Sequence, residues 1–350
     1  MRTTDLYIGA IGTYLPETVT VQEASDQGLY PAEDIDLHQL AGVAVAGTTP
    51  APEMARFAAV ETLRRWGRPK DEVDLLLYAS TWHQGPEGWL PHSYLQRHVV
   101  GGRAPVAEIR LGCNGILGSM ELAAGYLDPD AGRTAALLVT ADNYGTPLMN
   151  RWRLGPGFIP GDAATALVLT TEPGFARVTS VCTANIPEAE ELHRGDEPLF
   201  PPGVTLGRSL DFASRFRSRG AAGEAVQGGL DRARGELVDL VDRAVEESGI
   251  SRDDLARVAY INYSREIVEE ACMKPLGLPM EKSTWDFGRT VGHCGASDQL
   301  LALNDQLRTG ALKPGDHMLL LGTAPGINLA CAVVKLLEVP SWIDEEGAAQ

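Results

Sequence analysis

The chain has 350 residues, 44% hydrophobic and 22% charged, which is enough to bury a sizeable core and too long for one ordinary domain unless that domain is doubled. Its 38 glycines and 22 prolines follow no short period, so collagen-like and low-complexity classes are excluded. Forty-seven acidic residues against 30 basic ones give a formal charge of −17, which opposes general binding to nucleic acid or anionic membrane, so an acidic ligand needs a local basic patch.

The opening Met1–Pro16 has no apolar run of signal-peptide length, and no window approaches ~18 uninterrupted apolar residues, so a soluble cytoplasmic protein is expected. The first strong helical pattern is Glu53–Trp66, with Met54, Phe57, Ala58, Leu63 and Trp66 on one stripe and Gly67 and Pro69 as the stop. Apolar runs rich in Leu and β-branched residues then predict buried strands over Val73–Ala79, Ala104–Ile109, Ala135–Thr140 and Ala163–Thr170. A second helix is expected over Leu230–Gly249. It is followed by strands over Val258–Asn262, His317–Leu321 and Asn328–Leu336. Alternating β and α segments of this kind imply helices packed on both faces of extensive sheets.

An internal repeat organises the pattern. Gly67-Arg-Pro-Lys-Asp71 through Tyr78 lies over Gly249-Ile-Ser-Arg-Asp253 through Tyr260, and Ala135–Thr140 lies over His317–Gly322, both at an offset of 182. After a slip of two residues, Leu111-Gly-Cys113-Asn-Gly115 lies over Val291-Gly-His293-Cys-Gly295. Three matches in order predict a duplication, with halves at 1–172 and 173–350. Equivalent loops of a pseudo-two-fold can meet near its axis, which makes Cys113 and His293 a candidate pair.

Cys113 follows an apolar stretch and precedes Asn114-Gly-Ile-Leu-Gly-Ser, which reads as a helix start. Backbone N–H groups and the helix dipole there favour a thiolate, so Cys113 is either a nucleophile or a buried structural cysteine. His293, in Gly292-His-Cys-Gly-Ala-Ser-Asp298, is a candidate general base. Asp298, five residues on, either orients the imidazole or is a helix-start carboxylate. The other cysteines, at 182, 272, 294 and 331, form no CxxC pair, which argues against a zinc knuckle or a secreted disulfide framework and for a reducing compartment. His83 and His92, in a Trp-rich turn segment, read as structural or interfacial. No HxxxH or acidic-His cluster predicts a metal site, and Gly161-Asp-Ala-Ala-Thr lacks the order and following helix of a nucleotide loop. Arg208, Arg215, Arg217 and Arg219, with Arg151 and Arg153 flanking Trp152, are candidate contacts for CoA phosphates or an acidic carrier protein, or else solvated cations.

Ile8-Gly-Ala-Ile-Gly-Thr-Tyr-Leu-Pro16, Cys113 in its turn, Arg151-Trp152 ahead of Gly161-Asp-Ala-Ala-Thr-Ala-Leu-Val-Leu, and Leu276-Gly-Leu-Pro279 before Gly292 occur in an order that resembles ketoacyl-[acyl-carrier-protein] synthase III of the thiolase superfamily. The resemblance implies a thiolase-like duplicated αβαβα five-layer α/β fold and a homodimer. It also implies that acyl-CoA or a phosphopantetheinyl acyl carrier protein delivers a thioester to the cysteine, with no permanently bound cofactor. The family's condensing members use Cys-His-Asn. Here Asn262 stands at the family's histidine position, His293 at its asparagine position, and Asp298 where an apolar residue is common. This departure resembles the divergent acyltransferases of antibiotic pathways, which move an acyl group to a sugar or polyketide hydroxyl or a carrier thiol. Asn262 and His293 also suit the enolate oxygen of a condensing reaction, and that alternative stays open, as does a non-catalytic role in a biosynthetic complex. In Thr323-Ala-Pro325-Gly326 the family's oxyanion turn carries a proline with no N–H, which leaves Gly326 or Ala324 as its replacement.

Overall fold

The computed structural model describes residues 1–147, 149–203, 207–218 and 224–343; the side chains of 216–218 and 224–227 also lie outside the description. Its strands are β1 (Tyr7–Tyr14), β2 (Thr18–Thr20), β3 (Gly42–Ala44), β4 (Leu75–Ala79), β5 (Val106–Ile109), β6 (Ala135–Asp142), β7 (Ala163–Thr170), β8 (Ala176–Asn185), β9 (Leu255–Ala259), β10 (His317–Ala324) and β11 (Asn328–Leu336). The helices that matter most for the site are α1 (Ala51–Trp66), α2 (Gly115–Tyr126), α3 (Glu224–Glu247) and α4 (Asp298–Arg308).

Nine strands form one sheet in the order β5-β4-β6-β7-β1-β8-β11-β10-β9, and β2 pairs with β3 separately. The order nearly mirrors itself about its middle. On one side β5, β4 and β6 run parallel, β6–β7 and β7–β1 antiparallel; on the other β9 and β10 run parallel, β10–β11 and β11–β8 antiparallel. Tyr7↔Arg177 and Ile8↔Ala176 join the sides, and the isolated bridge Arg2↔Ser180 continues the pairing. A counterpart of β5 survives as a single parallel bridge, Val258↔Ser283, beside β9. Residue 172 falls between β7 and β8.

Helices α2 and α4 lie between the two sides, and their Ile116, Leu117, Met120, Leu300, Leu303 and Leu307 share one buried cluster with strands of both. Helix α1 covers β1, β6 and β7 from outside, and α3 covers β8 and β11. Sequence dictates these placements: α1 buries Met54, Ala55, Ala58 and Ala59 and ends at Gly67, whose φ of 70° suits a residue without Cβ. Phe57, expected on its apolar stripe, is instead exposed and stacks on Tyr14 at 5.5 Å between ring centroids. Strands β7 and β11 occupy the expected residues, and β6 and β10 run further, to Asp142 and Ala324. The expected strand at Val258–Asn262 lies earlier, at Leu255–Ala259, which leaves Asn262 in the loop after it.

Candidate active site

Cys113 sits in a tight turn, Gly112–Asn114, that leads into α2. Gly112 adopts φ 54°, and a Cβ there would lie 2.9 Å from Pro325 Cδ, so the turn packs directly on the β10–β11 loop. Asn114 secures the same junction by donating from Nδ2 to the Asn328 carbonyl and to Asn328 Oδ1, both at 2.8 Å. His293 arrives from the opposite side of the fold, just ahead of the turn Gly295–Ser297 that leads into α4.

The two side chains meet. Cys113 Sγ is 2.9 Å from His293 Nε2, and His293 Nδ1 donates to Asp298 Oδ2 at 2.6 Å. Cys113 is 5% exposed, His293 4% and Asp298 0%. The carboxylate of Asp298 is saturated. Oδ2 also accepts from the Asn262 backbone N–H at 2.9 Å, while Oδ1 accepts from Asn262 Nδ2 at 3.0 Å and from the Cys294 N–H at 2.7 Å. Four donors converging on one buried carboxylate hold it in place. Asn262 Nδ2 also donates to the Gly292 carbonyl at 2.9 Å.

Burial on its own weakens the hold of His293 on a proton, but the Cys113 thiolate and the Asp298 carboxylate outweigh it and raise the imidazole well above its usual 6.5. His293 is thereby set to hold a proton between Cys113 and Asp298. Two aromatic rings wall the imidazole edge-on: Tyr263 at 5.2 Å and Phe158 at 6.0 Å, which stack on each other at 5.0 Å. Burial, reinforced by the Cys113 charge, raises the Tyr263 phenol well above 10, so it stays neutral. Behind the histidine turn lies a second acid, Asp142, fully buried at the end of β6. Burial lifts it to about 7 against the N–H groups of Thr81 and Trp82 that it accepts.

The model for the synthase III N-terminal region, described as 3-oxoacyl-[acyl-carrier-protein (ACP)] synthase III, matches residues 107–185, and its C-terminal counterpart matches 245–336. A solved structure titled ChlB3, an acyltransferase, is 52% identical, covers 97% of this chain and 100% of its own, and superposes with a TM-score of 0.91. The chain belongs to the ketoacyl synthase III-like family, in its divergent acyltransferase branch. The mycobacterial β-ketoacyl-[acyl-carrier-protein] synthase III of Mycobacterium tuberculosis is 24% identical over 93% of this chain and 94% of its own. The 3-oxoacyl-[acyl-carrier-protein] synthase III of Aquifex aeolicus shares the fold at 18% identity, covering 94% and 99% of the two chains with a TM-score of 0.75. The molecule is thus a thiolase-like α/β enzyme of the acyltransferase and ketoacyl synthase III type.

In this synthase III-like enzyme several candidate side chains already have partners within the fold. Asn262, a candidate donor to an enolate, spends both amide hydrogens on Asp298 and Gly292, because the loop after β9 turns its side chain back toward α4. Arg151, a candidate contact for CoA or carrier, is 8% exposed and bidentate to Asp162 at 2.9 and 3.0 Å, so it faces the interior. Arg208 is exposed but its guanidinium donates to Glu197 Oε2 at 2.7 Å, and Arg215 donates to the His193 carbonyl at 3.1 Å. Arg219 and the side chain of Arg217 lie outside the described residues. Trp152 is half-buried and meets Tyr30 edge-on at 6.3 Å. Gly326, with φ 85°, lies in the β10–β11 loop next to Pro325, which touches Gly112. Sequence reasoning passed over Tyr263, Phe158 and Asp142. For Asp142 there was a signal, since a carboxylate directly ending a wholly apolar strand has to be accommodated in the interior. For the rings there was none, because they approach His293 from separate loops.

Among the described residues no group of His, Cys, Asp or Glu is arranged to hold a metal, and no helix is long and apolar enough to cross a membrane.

Proposed function

We propose that this enzyme is a ping-pong acyltransferase that carries its acyl group on Cys113. The acyl donor is acyl-CoA or a phosphopantetheinyl acyl carrier protein. His293 Nε2 accepts the thiol proton, and the Cys113 thiolate attacks the donor carbonyl. The C–S bond of the donor breaks, and the departing thiolate takes the proton from His293. Neutral His293 then removes a proton from the acceptor, whose oxygen or sulfur attacks the Cys113 thioester and frees the cysteine. The tetrahedral oxyanion of each step is held by the Cys113 N–H and by the N–H of Ala324 or Gly326, since Pro325 has none. The acceptor is a sugar or polyketide hydroxyl or a second carrier thiol, in secondary metabolism. The functional particle is a cytoplasmic homodimer, each chain a duplicated unit with halves at 1–172 and 173–350, the first supplying Cys113 and the second His293.

One observation carries the preference for transfer over condensation: the polar groups around His293 all point inward. Condensation on a malonyl donor needs two neutral donors aimed at the enolate oxygen left by CO₂ loss. Here the Asn262 amide faces Asp298 and Gly292, and His293 is bound at both nitrogens, by Asp298 and by Cys113. A charged orienting acid behind the imidazole suits a base that takes up and returns a proton. The same contacts argue against a non-catalytic scaffold, which has no use for a buried cysteine paired with a histidine. Incubation with a panel of acyl-CoAs and acyl carrier proteins, followed by intact mass measurement, is expected to show one acyl adduct per chain, absent in Cys113→Ala. Release of CO₂ from malonyl donors in step with C–C product would replace transfer with condensation, and absence of any adduct would remove Cys113 as the acyl carrier.

A further inference from the structure

We propose that Arg151 and Asp162 are positioning residues for the base: this buried ion pair shapes the backbone of residues 159–161, and that backbone sets His293 against Cys113. The inference rests on Cys113 as the nucleophile and adds how its partner is held. His293 does not hang free from the start of its turn. Its N–H donates to the Ile159 carbonyl at 2.9 Å and its carbonyl accepts from the Gly161 N–H at 2.9 Å, a parallel bridge centred on Pro160. The approach is so close that a Cβ on Gly161 would lie 2.4 Å from the Val291 carbonyl oxygen, and one on Gly292 2.6 Å from that of Ile159.

Arg151 and Asp162 lock this strip of backbone from behind. Arg151 Nη1 donates to the Pro160 carbonyl at 3.1 Å, while Nη2 reaches both oxygens of Asp162. Asp162 in turn accepts from the N–H groups of Ala46 at 2.8 Å and Tyr144 at 2.7 Å. Its own N–H donates to the Ala44 carbonyl at 2.9 Å. Residues 159–162 are thereby bound to β3 and to the loop after β6 on one side and to His293 on the other. A buried ion pair is weak evidence for stability, because hydrophobic residues of similar volume often replace one at no cost. What a hydrophobic pair would not reproduce is the grip on the Pro160 carbonyl, one residue from both clamps on His293. Since displacement of a reacting group by about 1 Å can cost on the order of 100-fold in rate, that grip bears on catalysis.

The test compares wild type, Arg151→Lys and the double variant Arg151→Met/Asp162→Asn. Melting temperature is measured for each, with the rate of Cys113 alkylation by iodoacetamide as a function of pH, followed by peptide mass. Alkylation needs no acyl donor. In the double variant, alkylation at about pH 6 is expected to fall at least roughly 10-fold and to recover only at higher pH, with the fold kept at a lowered melting temperature, because the new amide NH₂ faces the N–H of Ala46 or Tyr144. Arg151→Lys, which keeps the charge but reaches fewer partners, is expected to fall between the two. A double variant with the wild-type pH profile overturns the proposal; if it does not fold, a wild-type profile in Arg151→Lys does so. A wild-type enzyme whose Cys113 reacts as an ordinary thiol overturns the nucleophile reading itself, a failure visible before any variant is made.

Discussion

Replacing Asp298 by Asn isolates the charge behind the base, because the side chain keeps its shape. Each carboxylate oxygen accepts two hydrogen bonds, so an amide NH₂ in either orientation faces two donors. With the NH₂ toward Asn262 Nδ2 and Cys294 N–H, two buried donors collide with a third, and each is left unpaired. With it toward His293, the ring must accept at Nδ1 and carry its hydrogen on Nε2, where it faces Cys113 and cannot take the thiol proton. Loss of a hydrogen bond to a charged group costs about 1.5–3 kcal/mol, roughly 10- to 150-fold in rate, and the wrong tautomer adds to it. Single-turnover acylation of Cys113, read by intact mass, should therefore slow by at least about 100-fold. Alkylation of Cys113 should need a higher pH than in wild type, because the negative charge that raises His293 has gone. Acylation within threefold of wild type, with the protein folded, would refute the orienting role.

The other expectations concern neighbours of this triad. Asp142 is raised to about 7 from 3.8 by burial, so the folded state binds its proton more tightly than the unfolded state. Its contribution to stability is full below about pH 4 and is lost as pH rises through 7, a change on the order of 4 kcal/mol. Asp142→Asn keeps an Oδ1 for the Thr81 and Trp82 N–H groups, and urea unfolding at pH 5 and pH 8 should show a smaller loss of stability than in wild type; equal losses would show that Asp142 is not the group responsible. Gly288→Ala would put a Cβ 2.3 Å from Asn262 Oδ1 and dislodge the amide from Asp298. A cost of about 1–3 kcal/mol in stability and a marked loss of acylation are expected, whereas Gly125→Ala in α2, with nothing within 4 Å, should leave acylation unchanged. Asn262→Ala strips one donor, Nδ2, from Asp298 and leaves the backbone N–H in place; acylation should fall while CO₂ release from malonyl donors stays at the level of wild type, and a selective effect on CO₂ release would return Asn262 to the enolate.

The parts of the fold that sequence reveals are those set by local chemistry. Strand β7 is buried throughout and β11 is buried but for Lys335, both mostly apolar runs flanked by turn residues, and the Gly67 stop of α1 needs only a residue that tolerates positive φ. Strands β1 and β8 were not visible because Gly9 and Gly12 interrupt one and Arg177, Thr179, Ser180 and Thr183 the other. Their strand state comes from pairing with β7, β11 and each other. At the site, Cys113, His293 and Asp298 were legible through helix-start chemistry and the repeat. Arg151 beside Trp152 suggests a ligand contact in sequence, while its partner in the fold, Asp162, lies 11 residues on in a turn that carries no sequence sign of an ion pair.

If, as the resemblance implies, Asn262 stands at the condensing members' histidine position and His293 at their asparagine position, the polar contacts give that exchange a physical logic. A condensing site spends two neutral donors on a substrate oxygen, so their hydrogens must point into the substrate space and nothing behind them need be charged. Moving the imidazole to position 293 places it within reach of residue 298, and a carboxylate there changes the histidine from a donor into a base whose protonated form is stabilised. That carboxylate is buried and would be costly if unpaired. Asn262, displaced from any task at the substrate, supplies two of its four donors, and the Cys294 N–H supplies another. Restoring His at 262 or Asn at 293 alone should not recover condensation, since Asp298 would keep drawing the nearest donor hydrogens toward itself. Only a variant that also replaces Asp298 by an apolar residue frees both positions to face the substrate, and CO₂ release from a malonyl donor by that triple variant but by neither single one is the result expected.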